Sequence, residues 1–193
     1  MIVGDSGLPF ANVLSDELIH QALARIDFEW KDRVYTPLVT LWVFLSQIIS
    51  IDHSCRAAVA RLISHRVANG LSACSARTGA YCQARARLPE EFFAHVVRLV
   101  ARAVESKVKS SWLWKGRHVY MFDGSTISMP DTPANQAEYP QTWKSKPGAG
   151  FPVSRIGILS SLSSGAVFNM QMCSYAGKGT GEVTLFRRTW NLL

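Results

Sequence analysis

The chain has 193 residues, 48% of them hydrophobic and 18% charged, with a net charge of +7. That is enough apolar material for one good core or two small ones, and it excludes the disordered and collagenous classes. Four cysteines, Cys55, Cys74, Cys82 and Cys173, form no Cys-x-x-Cys pair and suggest neither a disulfide framework nor a tetrahedral zinc site, His53-x-Cys55 being at most half of one.

Residues 1–12 open with MIVGDSGLPF, which lacks the basic region and long apolar core of a signal peptide, so a cytoplasmic, reducing setting is expected. Ser15-Asp16-Glu17 predicts a capped helix over 15–28. Thr36-Pro37 places a cap and a first-turn proline before the apolar run VTLWVFLSQII at 39–49. That run is interrupted by Ser46 and Gln47 and is far shorter than the roughly 20 residues that cross a bilayer, so it predicts a buried helix and no membrane partner. Ser54 caps a third helix that stops at Asn69-Gly70, where glycine suits the left-handed position after a helix. A shorter helix is expected over 78–88, and Pro89-Glu90-Glu91 starts another that runs to about residue 105. The third and fourth helices around their connection have the order of a helix-turn-helix, an order that many bundles share.

Charge is uneven along this helical part. Residues 1–52 carry three basic and seven acidic side chains, whereas residues 53–117 carry twelve basic and three acidic ones. Arg56, Arg61, Arg66, Arg77, Arg85, Arg87, Arg98 and Arg102 recur within helical pattern, which predicts at least one cationic helical face. Such a face is either simply solvated or in contact with phosphate, and the local excess of nine positive charges favours nucleic acid. The candidate DNA contacts of this part are Arg56, Arg61, Arg66, Arg77, Arg85 and Arg87.

After Lys115-Gly116 the period changes from helical to that of strands. A strand is expected over 118–129, then a long loop over 130–152 with five prolines, a hairpin of strands 153–162 and 166–174 around Ser163-Ser164-Gly165, and a helix over 182–193. The loop's Tyr139, Trp143, Lys144 and Lys146 mix aromatic and basic residues, as a DNA-contacting loop would and as an ordinary surface loop also can. Lys144, Lys146 and Arg155 are the candidate DNA contacts of the second part.

The first strand region, 118–129, carries one acid, in RHVYMFDGST at 117–126, where an apolar run ends on Asp123 before Gly124. A nucleotidyl-transferring ligase needs a lysine two residues earlier, where Met121 stands, so that chemistry is excluded. A phosphatase nucleophile loop, a carboxylate of a divalent-metal site, and a plain turn cap each remain open on the residues alone.

Taken together, Asp123, DTPANQAEYPQ at 131–141, KPGAGFPVSRIGILSSLSSGAVFNM at 146–170 and GKGTGEVTLFRRTW at 177–190 resemble the first half of the catalytic domain of bacterial insertion-sequence transposases of the insertion-sequence-four type. TPLVTLWVFLSQIIS at 36–50 and YCQARARLP at 81–89 resemble the amino-terminal region of the same family. The resemblance implies an α+β chain: a basic, all-helical, DNA-binding domain over 1–115, then over 116–193 the first part, βββα, of an RNase H-like domain. It implies that Asp123 is the first acid of an Asp, Asp, Glu triad that holds Mg²⁺ or Mn²⁺ and cuts phosphodiesters in cut-and-paste transposition. In the family the second aspartate follows the helix that matches 182–193 and the glutamate comes later still, so two of three ligands lie beyond the segment matched here. Glu182 precedes the second position and is expected only to favour its helix N-terminus. The implied partners are double-stranded DNA at element ends and a second copy of the protein in a synaptic complex, and the implied location is the bacterial nucleoid. The expected behaviour is DNA binding without cleavage, either as a transposase portion or as a non-catalytic regulator of transposition.

Overall fold

A computed structural model describes residues 13–31, 33–142, 146 and 148–190. The chain divides into two compact units, Met1–Leu99 and Val100–Leu193. The change from helical to strand periodicity comes later, near residue 115. The last turns of the fifth helix belong to the second unit, because Ala101 packs there with Leu159 and Phe168.

The first unit is helical: α1 (Asp16–Leu23), α2 (Pro37–Ile49), α3 (Cys55–Ala68), α4 (Gly79–Arg87) and most of α5 (Glu90–Glu105). The expected caps form. Ser15 Oγ accepts the Leu18 amide at 3.2 Å, Thr36 Oγ1 the Val39 amide at 3.3 Å and Ser54 Oγ the Ala57 amide at 3.1 Å, each satisfying a donor that the helix itself leaves free. Asn69-Gly70 ends α3 with paired bonds, Gly70 N to Val67 O at 3.0 Å and Leu71 N to Arg66 O at 2.9 Å. Gly70 adopts φ +72°, the left-handed geometry that this closure requires.

α1 stops at Leu23, five residues before the expected end. The backbone there tightens into three-residue bonds, Arg25 to Ala22 and Ile26 to Leu23, and the acids Asp27 and Glu29 follow at the end of the helix dipole that repels them. α2 buries Leu38, Leu41, Trp42 and Val43, as its apolar run demands. Val43 joins Ala58, Val59, Leu62 and Tyr81 in the core of this unit. Among the described residues no helix is long and apolar enough to cross a membrane.

The second unit is built on a three-stranded antiparallel sheet, β1 (Tyr120–Ser128), β2 (Val153–Ser161) and β3 (Val167–Ser174), in the order β1-β2-β3. A short helix, α6 (Pro133–Glu138), interrupts the expected loop, and α7 (Glu182–Trp190) follows the sheet. The mixed helix-and-sheet expectation holds, with the sheet wholly antiparallel. α6 has the signals of a helix start, since Thr132 Oγ1 accepts the Asn135 amide at 3.2 Å and Pro133 sits in the first turn.

Candidate functional site

The strand register decides what can surround Asp123. It pairs with Ile158, and β1 continues through Gly124 to Ser128, so the strand does not end on the aspartate. Asp123 is the fourth of nine strand residues. Successive strand side chains point to opposite faces. Phe122 turns towards α7, its ring centroid 5.3 Å from that of Phe186, so Asp123 lies on the other face, exposed. Its Oδ1 accepts the Gly124 amide at 2.9 Å.

Gly124 explains why the strand runs on. It stands opposite Gly157, and the two glycines leave a trough across the sheet. A Cβ on Gly157 would meet Phe122 Cζ at 2.5 Å and Leu185 Cβ at 3.2 Å; one on Gly124 would meet Glu182 Oε1 at 2.5 Å and its Cγ at 2.8 Å. The first turn of α7 thus rests on bare backbone. Glu182 does lead α7, as expected, and its side chain lies over the residue next to Asp123, on the opposite face. Spacing alone gives no sign of that approach, although paired glycines are the signal of a close neighbour.

A divalent cation needs several converging donors. Among the described residues no three histidine, cysteine, aspartate or glutamate side chains converge. Asp123 supplies one carboxylate, and Glu182 reaches the sheet from its other side. The residues present do not fit a complete Mg²⁺ or Mn²⁺ centre. His53 and Cys55 belong to no such cluster either; His53 Nδ1 stands 3.0 Å from Gln47 O, and Cys55 Sγ accepts from Gln47 Nε2 at 3.6 Å.

The candidate arginines separate into two groups. Arg61, Arg66 and Arg85 are half-buried, and each bonds to a neutral oxygen. Arg61 Nη2 donates to Ser46 O at 3.1 Å and thereby serves the end of α2, whose last turn has no basic residue. Arg66 Nε donates to Ser72 O at 2.9 Å. Arg85 Nη1 donates to Gln47 Oε1 at 3.2 Å, and its guanidinium lies over the rings of Phe44 and Tyr81 at 5.8 and 5.5 Å. Gln47 Oε1 also accepts the Tyr81 hydroxyl at 2.7 Å, so one amide ties α2 to α4.

Arg56, Arg77 and Arg87 are exposed on the helical unit. Arg87 Nε donates within its own helix, to Gln83 O at 3.2 Å. The connection from Asn69 to Thr78 is far longer than the three or four residues of a helix-turn-helix, and α3 and α4 pack on α2 as well as on each other.

In the second unit Arg155 is half-buried, its guanidinium 5.2 Å over the Tyr175 ring, while Lys146 is exposed. Trp143 and Lys144 lie outside the described residues.

One polar cluster has no signature in the sequence. The Glu105 carboxylate, at the end of α5, accepts from Ser161 Oγ at 3.0 Å and from Ser164 Oγ, and pairs with His118 Nδ1 at 2.5 Å. Burial pushes the carboxyl up, but the bonds from Ser164, His118 and Ser161 outweigh it and hold Glu105 below its ordinary value of 4.5. Both serines are engaged by the carboxylate itself rather than by a histidine nitrogen, as a nucleophile would need, so the cluster fastens the β2–β3 turn to the end of α5. Comparison with known protein families, with curated proteins and with solved structures finds no match to this chain.

Proposed function

We propose that this chain is the amino-terminal portion of an insertion-sequence transposase that binds double-stranded DNA without cutting it. The observation that carries the reading is the second unit's chain order. Three consecutive antiparallel strands β1-β2-β3 followed by α7 on one face are what the resemblance implies for the start of an RNase H-like domain. Support on the binding side comes from Arg56, Arg77 and Arg87, which are exposed in the most basic part of the chain. The lone acid of β1 favours binding over cleavage, and a regulator that occupies DNA ends is the second reading consistent with it.

Phosphate neutralisation releases counterions, so the full chain should bind a duplex with an affinity that falls steeply between about 50 and 200 mM salt. Replacing Arg56, Arg77 and Arg87 together by alanine should shrink the slope of log affinity against log salt by about 1 for each phosphate that is no longer neutralised. With Mg²⁺ present the duplex should stay intact. A flat salt dependence, or nicking that Asp123→Asn abolishes, would overturn the proposal, the first against binding and the second against a non-cutting chain.

A further inference from the structure

The segment 107–117, KVKSSWLWKGR, belongs to the second unit, and none of the chemistry above uses it. It starts with a single 3₁₀ turn, Ser110–Trp112, and closes in a tight loop where Trp114 N donates to Arg117 O at 3.1 Å and Arg117 N to Trp114 O at 3.0 Å. Lys115 and Gly116 form the tip with φ of 51° and 76°, the double positive φ of a type I′ turn. Lys115 is the one non-glycine among the described residues with positive φ. A long charged side chain at a position that favours glycine or asparagine is a strained choice, and such choices concentrate at functional sites.

The side chains of this loop are two exposed rings and a set of cations. Trp112 is 56% exposed and Trp114 59%, while Leu113 between them is half-buried. Lys109 Nζ lies 5.8 Å over the Trp112 ring and Lys115 Nζ 5.2 Å over the Trp114 ring. Lys107 and Arg117 add two more charges, and no acid occurs between Glu105 and Asp123. Glu105 is itself turned towards His118, Ser161 and Ser164. The loop is therefore aromatic and positively charged, with no acid of its own.

We propose that this loop is a binding site for unpaired nucleobases. Trp112 and Trp114 stack on the bases of a single strand, and Lys109, Lys115 and Arg117 hold the adjoining phosphates. A paired duplex offers phosphates but hides its base faces, so the two rings distinguish this site from the exposed arginines of the helical unit, and it stands whether or not those bind a duplex. An anionic bilayer is the less suitable partner: the only aliphatic residues of the loop, Val108 and Leu113, are half-buried, leaving nothing but the two rings to enter acyl chains.

The test uses the full chain with a labelled oligothymidylate of about 15 nucleotides, long enough for one such site, the matching duplex, and phosphatidylserine vesicles. Trp112→Ala and Trp114→Ala should each weaken single-strand binding by about five- to a hundredfold, as loss of a stacked base does, with the phenylalanine variants keeping most of it. Duplex affinity should change less than about twofold, since the phosphate-binding cations remain. Oligothymidylate binding should also quench tryptophan fluorescence, less so in the alanine variants. Unchanged single-strand affinity in the doubly substituted protein would overturn the proposal, as would vesicle binding that disappears in that protein alongside no affinity for the oligonucleotide.

Discussion

The half-buried arginines of the helical unit and the loop lysines of the sheet unit place positive charge in opposite ways. In the first, Arg61 and Arg85 bond to Ser46 and Gln47 of α2, adding polar ties between helices that also share an apolar core, and Arg66 bonds to Ser72 just past the end of its own helix. In the second, Lys109 and Lys115 stay outside on a strained loop, laid over exposed tryptophans. The difference teaches that a count of arginines overstates a nucleic-acid surface wherever neutral oxygens lie within reach of guanidinium groups. Arginine is suited to that inward role because its planar fork bonds and stacks at once and is more weakly hydrated than an ammonium. Lysine's compact, strongly hydrated charge keeps it in water.

The two units also differ in how they close. The sheet unit depends on the absence of side chains at Gly124 and Gly157, where the helical unit depends on side chains reaching across. The largest expected effect follows from this. Gly157→Val puts two methyl-bearing branches where even a Cβ would stand 2.5 Å from Phe122 Cζ, itself packed against Phe186. A loss of about 3 kcal/mol from the sheet unit is expected, at the upper end of the cost of overfilling a packed interior. Hydrogen exchange of the β2 amides reads this locally. Amides of α3 should be unaffected, and equal loss in both units would break the comparison.

Next in size is the inward arginine itself. Arg85→Ala removes a bond to Gln47 and two ring contacts, and leaves Gln47 with only the Tyr81 hydroxyl on its carbonyl oxygen. The expected cost is about 2 kcal/mol, that of a half-buried charged hydrogen bond with its stacking. Arg56→Ala, on the exposed surface, should stay within about 0.5 kcal/mol. Denaturant midpoints of the two variants check the ranking. Similar losses would mean that Arg56 too has an inward role.

Neither ranking is legible in the sequence, and the reasons are particular. Caps and stops are local, so Thr36, Ser54 and Gly70 announce their helices through residues three or four places away. Arg85 finds Gln47 across 38 positions, and no periodicity encodes which helix lies opposite. The position of Asp123 is misleading for a similar reason: Gly124 looks like a strand end because its need for bare backbone comes from Glu182, which joins it only through the fold. α6 hides among prolines that resemble breakers, although Thr132-Pro133 is a helix start. Lys115-Gly116 does mark a break in pattern, but that Trp112 and Trp114 are exposed while Leu113 between them is half-buried is not revealed by a three-residue stretch of apolar side chains.

The smallest effect concerns Glu105, a sheltered carboxylate that the sheet unit does use. Glu105 holds Ser161, Ser164 and His118, and these partners keep its carboxyl below the ordinary 4.5 against the upward push of burial. A carboxyl lowered in the folded state binds fewer protons there than in the unfolded chain, so its contribution is fully present above 4.5 and disappears as pH falls through the folded value. The contribution should be on the order of 1 kcal/mol, because the serine bonds are sheltered whereas His118 is largely exposed and its share is screened by water. Glu105→Gln keeps the shape and removes the proton equilibrium. In that variant the sheet unit should lose stability near neutral pH and show a flatter decline between about pH 5 and 3 than the parent, followed through hydrogen exchange of the β2 and β3 amides. The helical unit should be unchanged by the substitution at any pH. If the acid-range slopes of parent and variant coincide in the sheet, the serines are held by shape alone, and the two units differ less in their electrostatics than the arginine and lysine placements imply.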